Sequence, residues 1–125
     1  MKNAFSKYID SLQKNLTLTL EDIDGLEKFK KDSWSREAGG GGLTMIIENG
    51  NVFEKGGVNV SKVYGKLPDS MSTMLKATNS DFYACGISIV LHPKNPMIPT
   101  FHANLRYFEL YENEKLRDRW FGDPE

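Results

Sequence analysis

Apolar residues near the start of the chain recur at helical spacing: Phe5, Tyr8, Ile9, Leu12 and Leu16, with Lys2, Lys7, Asp10 and Lys14 on other faces. One side of a 3.6-residue turn is therefore apolar, which predicts an amphipathic helix from Asn3 to Lys14 packed on a sheet. Leu16 to Gly25 fits a second short helix or a connection equally well. Further on the period shortens to two. Lys28 to Glu37 alternates weakly and reads as entering a sheet, and Leu43 to Glu48 reads as a strand. Asn49-Gly50-Asn51 is a strong hairpin turn signal into Val52 to Lys55. The four glycines Gly39 to Gly42 read as a flexible turn, or as backbone that approaches a ligand closely. Gly56-Gly57 predicts a bulge or kink before Val58 to Tyr64. Pro68-Asp69-Ser70 ends that strand and caps a short helix over Met71 to Lys76.

The clearest alternation lies in two strands, Phe82 to Leu91 and Phe101 to Tyr111. Three prolines between them, Pro93, Pro96 and Pro99, forbid a continuous helix or central strand. Cys85, Ile87, Ile89 and Leu91 share one parity, and Ser88, Val90 and His92 the other. On the second strand His102, Asn104 and Arg106 stand opposite Ala103, Leu105 and Tyr107. Side chains two apart point to one face. Ser88, His92, His102, Asn104 and Arg106 are thus expected to line a single face of two connected strands. Glu112 to Arg119 is highly charged and reads as a solvated turn or short helix. The pattern as a whole predicts one α+β domain over residues 1–125, with four or five strands in a mostly antiparallel sheet flanked by helices. At least one sheet edge is expected to lie open.

Composition narrows the partners. A chain of 125 residues with 39% hydrophobic and 26% charged residues suits a soluble domain with a real core. The net charge of −1 gives no nucleic-acid or membrane footprint, so any anion must be met by locally placed charge. Arginine is scarce (Arg36, Arg106, Arg117 and Arg119), and its planar fork suits carboxylates better than lysine does. The lone Cys85 excludes an internal disulfide, suits a reducing compartment and falls on an apolar parity, as a buried, inert thiol would. No run approaches the ~20 apolar residues of a membrane helix and no targeting segment is evident, so a cytoplasmic location is expected.

The candidate chemistry centres on the two histidines. Imidazole transfers protons near neutrality or binds metal, but two histidines without a third ligand make an incomplete metal set. Ser88 lacks the glycine-flanked context of a nucleophile elbow. Arg106, on a strand otherwise apolar and aromatic, needs an anion: a ligand carboxylate, or an internal partner such as Glu54. Asn59 and Ser61 add polar groups on one strand face. Trp34 and Arg36 read as a wall and a second anion contact, or for Trp34 as core packing.

Four blocks then carry a resemblance. They are Trp34-Ser35-Arg36-Glu37-Ala38-Gly39-Gly40-Gly41-Gly42; Val52-Phe53-Glu54-Lys55-Gly56-Gly57-Val58-Asn59-Val60-Ser61; Gly86-Ile87-Ser88-Ile89-Val90-Leu91-His92-Pro93; and Pro99-Thr100-Phe101-His102-Ala103-Asn104-Leu105-Arg106-Tyr107-Phe108. In this order and spacing they resemble the oxygen-dependent coproporphyrinogen III oxidase family. The resemblance implies oxidative decarboxylation of two propionate arms of coproporphyrinogen III during haem biosynthesis, with dioxygen as co-substrate and no organic cofactor. It implies a homodimer with a broad antiparallel sheet. It implies substrate contacts from Ser88 and from Asn104, Leu105 and Arg106, and a proton donor at His102. His92 pairs with His102 at a position sometimes assigned to a divalent metal. Family members are longer, and after Trp-Phe-Gly they continue with an Asp-Leu-Thr-Pro motif, where this sequence runs Trp120-Phe121-Gly122-Asp123-Pro124-Glu125. The chain therefore reads as an N-terminal portion with weak or no turnover alone. The alternative is a non-catalytic tetrapyrrole-binding module completed by a partner chain.

Overall fold

The computed structural model describes residues 2–68, 80–112 and 115–121. Among the described residues one helix, α1 (Lys2–Asp24), precedes six strands: β1 (Lys30–Ser35), β2 (Gly40–Glu48), β3 (Phe53–Lys66), β4 (Ser80–Pro93), β5 (Phe101–Glu112) and β6 (Lys115–Phe121). All neighbours are antiparallel and the order is sequential, β1-β2-β3-β4-β5-β6, an α+β meander with α1 against β3 and β4. Among the described residues no helix is long and apolar enough to cross a membrane.

The helix runs ten residues beyond its expected end at Lys14. Its segment Leu16-Thr17-Leu18-Thr19-Leu20 alternates like a strand, yet burial of Thr17 and Leu20 against the sheet continues the helical stripe begun by Ile9 and Gln13. Tertiary packing here overrides a local preference. Gln13 is buried without being apolar, because its side-chain amide donates to the carbonyls of Leu43 at 2.8 Å and Val58 at 2.9 Å. Gly25 closes the helix at φ 73°, with its N–H on the Glu21 carbonyl.

Asp24 then ties the helix end to the β2–β3 hairpin. Its Oδ1 accepts from the backbone N–H groups of Leu26, Glu27 and Asn51, and its Oδ2 from Val52 and Phe53, both at 2.9 Å. Burial works to raise its pKa, but the amides of Phe53, Asn51, Val52 and Glu27 outweigh it and hold the carboxyl well below the usual range. Gly50 is required at the turn because a side chain there would strike this carboxylate.

Between α1 and the sheet lies the main core, centred on Ile9, Ile47, Val58 and Ile87, all fully buried, with Val60, Cys85 and Tyr107 beside them. A smaller cluster (Leu67, Ala84, Phe108 and Leu110, with Val63, Phe82 and Trp120) packs elsewhere on the sheet.

Three expectations are corrected. The glycine run is not a flexible turn: Gly40 to Gly42 belong to β2, where a side chain at Gly42 would strike the Val60 carbonyl and the Trp34 ring. Gly56-Gly57 makes no kink; β3 passes through it, and the register shift falls between Phe53 and Lys55. The charged segment near Arg117 is neither turn nor helix, since Lys115 to Phe121 pairs with β5 as an edge strand, a place that tolerates charge. The short helix expected over Met71 to Lys76 lies outside the described residues.

Candidate functional site

The antiparallel registers decide which side chains meet. Thr44 is opposite Asn59, Asn59 opposite Ser88, and Ser88 opposite Asn104, a transverse row across β2 to β5. On one side of it runs the row Gly42, Ser61, Gly86 and Arg106; on the other runs Ile46, Gly57, Val90 and His102. His92 stands one step further, opposite Lys55. All share the parity opposite to Met45, Val58 and Ile87, so they occupy the sheet face that α1 does not cover. At about 4.8 Å between strands and about 6.7 Å between alternate residues, the patch from His92 to Arg106 spans on the order of 14 by 20 Å.

Ser88, His92, His102, Asn104 and Arg106 therefore do come together on one face, as their alternation predicts. Four of them, His92, His102, Asn104 and Arg106, are exposed, and Ser88 is half-buried. Leu105 does not join them. Its side chain has the parity of Ile87, its register partner, and points to the other face, so it can meet a ligand of this patch only through its backbone. Along Phe101 to Arg106 the outer side of β5 has no described strand beside it, because β6 pairs only from Tyr107 onward.

At the β1 end the face is tied down by Trp34. Its indole N–H lies 3.1 Å from Thr44 Oγ1 and 3.4 Å from Asn59 Oδ1, and the Thr44 hydroxyl donates to the same Oδ1 at 2.7 Å. With its oxygen so occupied, Asn59 directs its two amide N–H donors elsewhere, ready for an acceptor. Trp34 is thus a wall of the open face over Gly42 rather than a core residue. Sequence reading reached Trp34 and Asn59 but missed Thr44 and Lys55. A two-residue turn at Asn49-Gly50 would have paired Glu48 with Asn51 and Thr44 with Lys55; the observed hairpin turns about Asn51 and Val52 instead, which pairs Glu48 with Lys55 and Thr44 with Asn59.

The titratable groups of the covered side are unsuited to acid–base work. Burial, with the Glu109 carboxylate adding, pushes Tyr107 up to about 12. Tyr107 and Tyr111 both donate to buried Glu109, at 2.8 and 2.7 Å. Burial also raises the Cys85 thiol. The two imidazoles, His92 and His102, lie instead on the open face. His92 Nδ1 lies 3.3 Å from the Thr100 hydroxyl, a contact that orients its ring.

A metal ion is a poorer fit. His92 and His102 share the face, but among the described residues no group of three or more His, Cys, Asp or Glu side chains is placed to hold an ion. Two imidazoles fall short of the three or four protein ligands a tight site uses. No step is assigned to a metal.

A helix-backed antiparallel sheet that gathers guanidinium, imidazole, hydroxyl and amide groups over glycines on its open face defines an α+β domain with a polar platform. The chain belongs to the coproporphyrinogen III oxidase family, whose model matches residues 4–124. It is 45% identical over 98% of its length to coproporphyrinogen-III oxidase 1, chloroplastic, of Arabidopsis thaliana, and 43% identical over the same share to coproporphyrinogen-III oxidase 2, chloroplastic, of that plant. It is 54% identical over 78% of its length to the oxygen-dependent coproporphyrinogen-III oxidase of Prochlorococcus marinus. The matches cover 34%, 57% and 29% of those three proteins respectively, so the chain spans between about a third and just over half of their length.

Proposed function

We infer that this chain forms a substrate platform for aerobic oxidative decarboxylation of coproporphyrinogen III to protoporphyrinogen IX in haem biosynthesis. The observation that carries the reading is the register that gathers Ser88, Asn104, Arg106 and His102 on the one face α1 leaves open. Each propionate arm becomes a vinyl group by losing carbon dioxide, one proton and two electrons, with dioxygen as the electron acceptor. Within that chemistry the Arg106 guanidinium grips a substrate carboxylate. The Ser88 hydroxyl and Asn104 amide orient the macrocycle. His102, an imidazole exposed beside them, moves the proton. Leu105 contributes main-chain groups only. The reading needs no organic cofactor.

The same reading makes the working enzyme a homodimer and places it in the cytoplasm, in keeping with a lone, buried Cys85 kept reduced. The plant relatives are chloroplastic by name. Light scattering over a dilution series tests the dimer, and subcellular fractionation the location.

The decisive experiment incubates the purified chain with coproporphyrinogen III in air and resolves the products by chromatography. Protoporphyrin above the autoxidation control means the platform suffices for turnover. Binding without turnover favours the tetrapyrrole-binding module completed by a partner chain. Folded protein that binds no tetrapyrrole refutes both. Arg106→Ala is expected to weaken binding by about 10- to 100-fold, the loss of one charge-assisted contact of about 1.5–3 kcal/mol; an unchanged Kd reassigns Arg106 to structure.

A further inference from the structure

Gly57 is unlike the other described glycines. A side chain at Gly40, Gly41, Gly42 or Gly86 would strike neighbouring backbone, one at Gly50 would strike Asp24, and one at Gly56 would press on Ile47 and Leu91. Gly25, Gly39, Gly40 and Gly65 also hold positive φ angles. Gly57 meets neither condition: it has no positive φ, and a Cβ there would have nothing within 4 Å. Glycine weakens a strand interior, and here neither backbone nor packing asks for it. What its missing side chain leaves is space.

That space is a shallow cavity of about 260 Å³ on the open face. Its floor is Gly57. Its two walls are Ile46 on β2 and Val90 on β4, the register partners of Gly57 on either side. Thr44 closes it toward the polar row, and Lys55 and His92 stand at its other end. Lys55 is exposed, and no ion pair engages it among the described residues, although Glu48 lies across from it in register. The slot is one residue wide, apolar along both sides and cationic at its mouth. A flat heteroaromatic edge carrying a carboxylate arm matches all three features.

We propose that Gly57 floors a subsite that seats one pyrrole ring of the tetrapyrrole, with Lys55 holding that ring's carboxylate arm. The inference rests on the platform reading above and adds to it a specificity-determining position and a second cationic anchor, on the opposite side of the polar row from Arg106. Flat rings approach the sheet where side chains are shortest. The pair Ile46 and Val90 then clasps the ring's edges, and Thr44 and His92 bound its travel along the strand.

The test uses the whole chain and coproporphyrin III, the stable aromatic form of the substrate, followed by quenching of its fluorescence. Gly57→Val is expected to fold with an unchanged or higher Tm, because the added atoms enter open space and a β-branched residue suits a strand. The same variant is expected to bind at least about 10-fold more weakly, with Gly57→Ala between it and the parent. Lys55→Met is expected to weaken binding about 10-fold and to flatten its dependence on salt. Retained or higher stability together with lost binding is the signature, because a merely structural glycine would lose both. Parent protein that binds and Gly57→Val that binds equally well overturn the subsite and leave the platform reading standing. Parent protein that does not bind coproporphyrin III overturns the platform reading and the subsite with it.

Discussion

Replacing Asp24 by Asn tests how the platform is held in place. The carboxylate accepts five backbone N–H groups, three on Oδ1 and two on Oδ2, and links the end of α1 to the hairpin that leads into β3. Asparagine keeps one carbonyl oxygen for the first three. Its amide nitrogen is a donor, and turned toward Val52 and Phe53 it leaves their two N–H groups, one part-buried and one buried, unsatisfied. At about 1–3 kcal/mol for each unsatisfied donor, the substitution costs about 2–6 kcal/mol. Removing a negative charge from the last turn of a helix returns about 0.3–1 kcal/mol, which does not change the sign. Against a typical total of about 5–15 kcal/mol the loss is severe.

The pH dependence follows from the same amides. A carboxyl whose folded pKa is depressed contributes stability that is full above its unfolded value, near 3.8, and is lost as pH falls through the folded value. The difference between parent and Asp24→Asn should therefore be constant near neutral pH and shrink below about pH 4, by up to about 1.4 kcal/mol per pH unit. Urea unfolding followed by circular dichroism at several pH values measures it. A difference below about 1 kcal/mol at neutral pH, or one that does not shrink in acid, would refute the argument.

Three further outcomes follow from the packing. Cys85, 1% exposed and with its thiol pKa raised by burial, should react with a thiol reagent only at the rate of unfolding, so rapid labelling of native protein would contradict its placement. Ile87→Ala, at a position with no exposure between α1 and the sheet, should cost about 2–5 kcal/mol in denaturant unfolding. Trp34→Phe removes the indole donor to Thr44 and Asn59 and should cost about 1 kcal/mol while weakening tetrapyrrole binding; full retention of affinity would remove Asn59 from the site.

Much of the platform was legible in the chain because strand alternation is local. The parity of Cys85 to His92 and of His102 to Tyr107 separates an apolar face from a polar one without reference to any distant residue. The Asn49-Gly50-Asn51 signal likewise marks the β2–β3 hairpin, although its register turns about Asn51 and Val52. The four ordered blocks pointed to the family to which the chain belongs.

Other features depended on partners far away in sequence. Whether Leu16 to Asp24 stays helical is decided by the sheet beneath it, and whether Lys115 to Phe121 is a strand is decided by β5. Gly40 to Gly42 form strand rather than turn because β1 and β3 close on them from both sides. The link from Asp24 to Phe53 joins groups 29 positions apart, beyond the reach of any periodicity. The sequence alone thus determined which side chains share a face, since that follows from two backbone angles per residue. Only the tertiary structure decided that α1 covers the apolar face, leaving the imidazoles, Arg106 and the empty space over Gly57 on the other side, because burial is a property of what packs and not of what alternates.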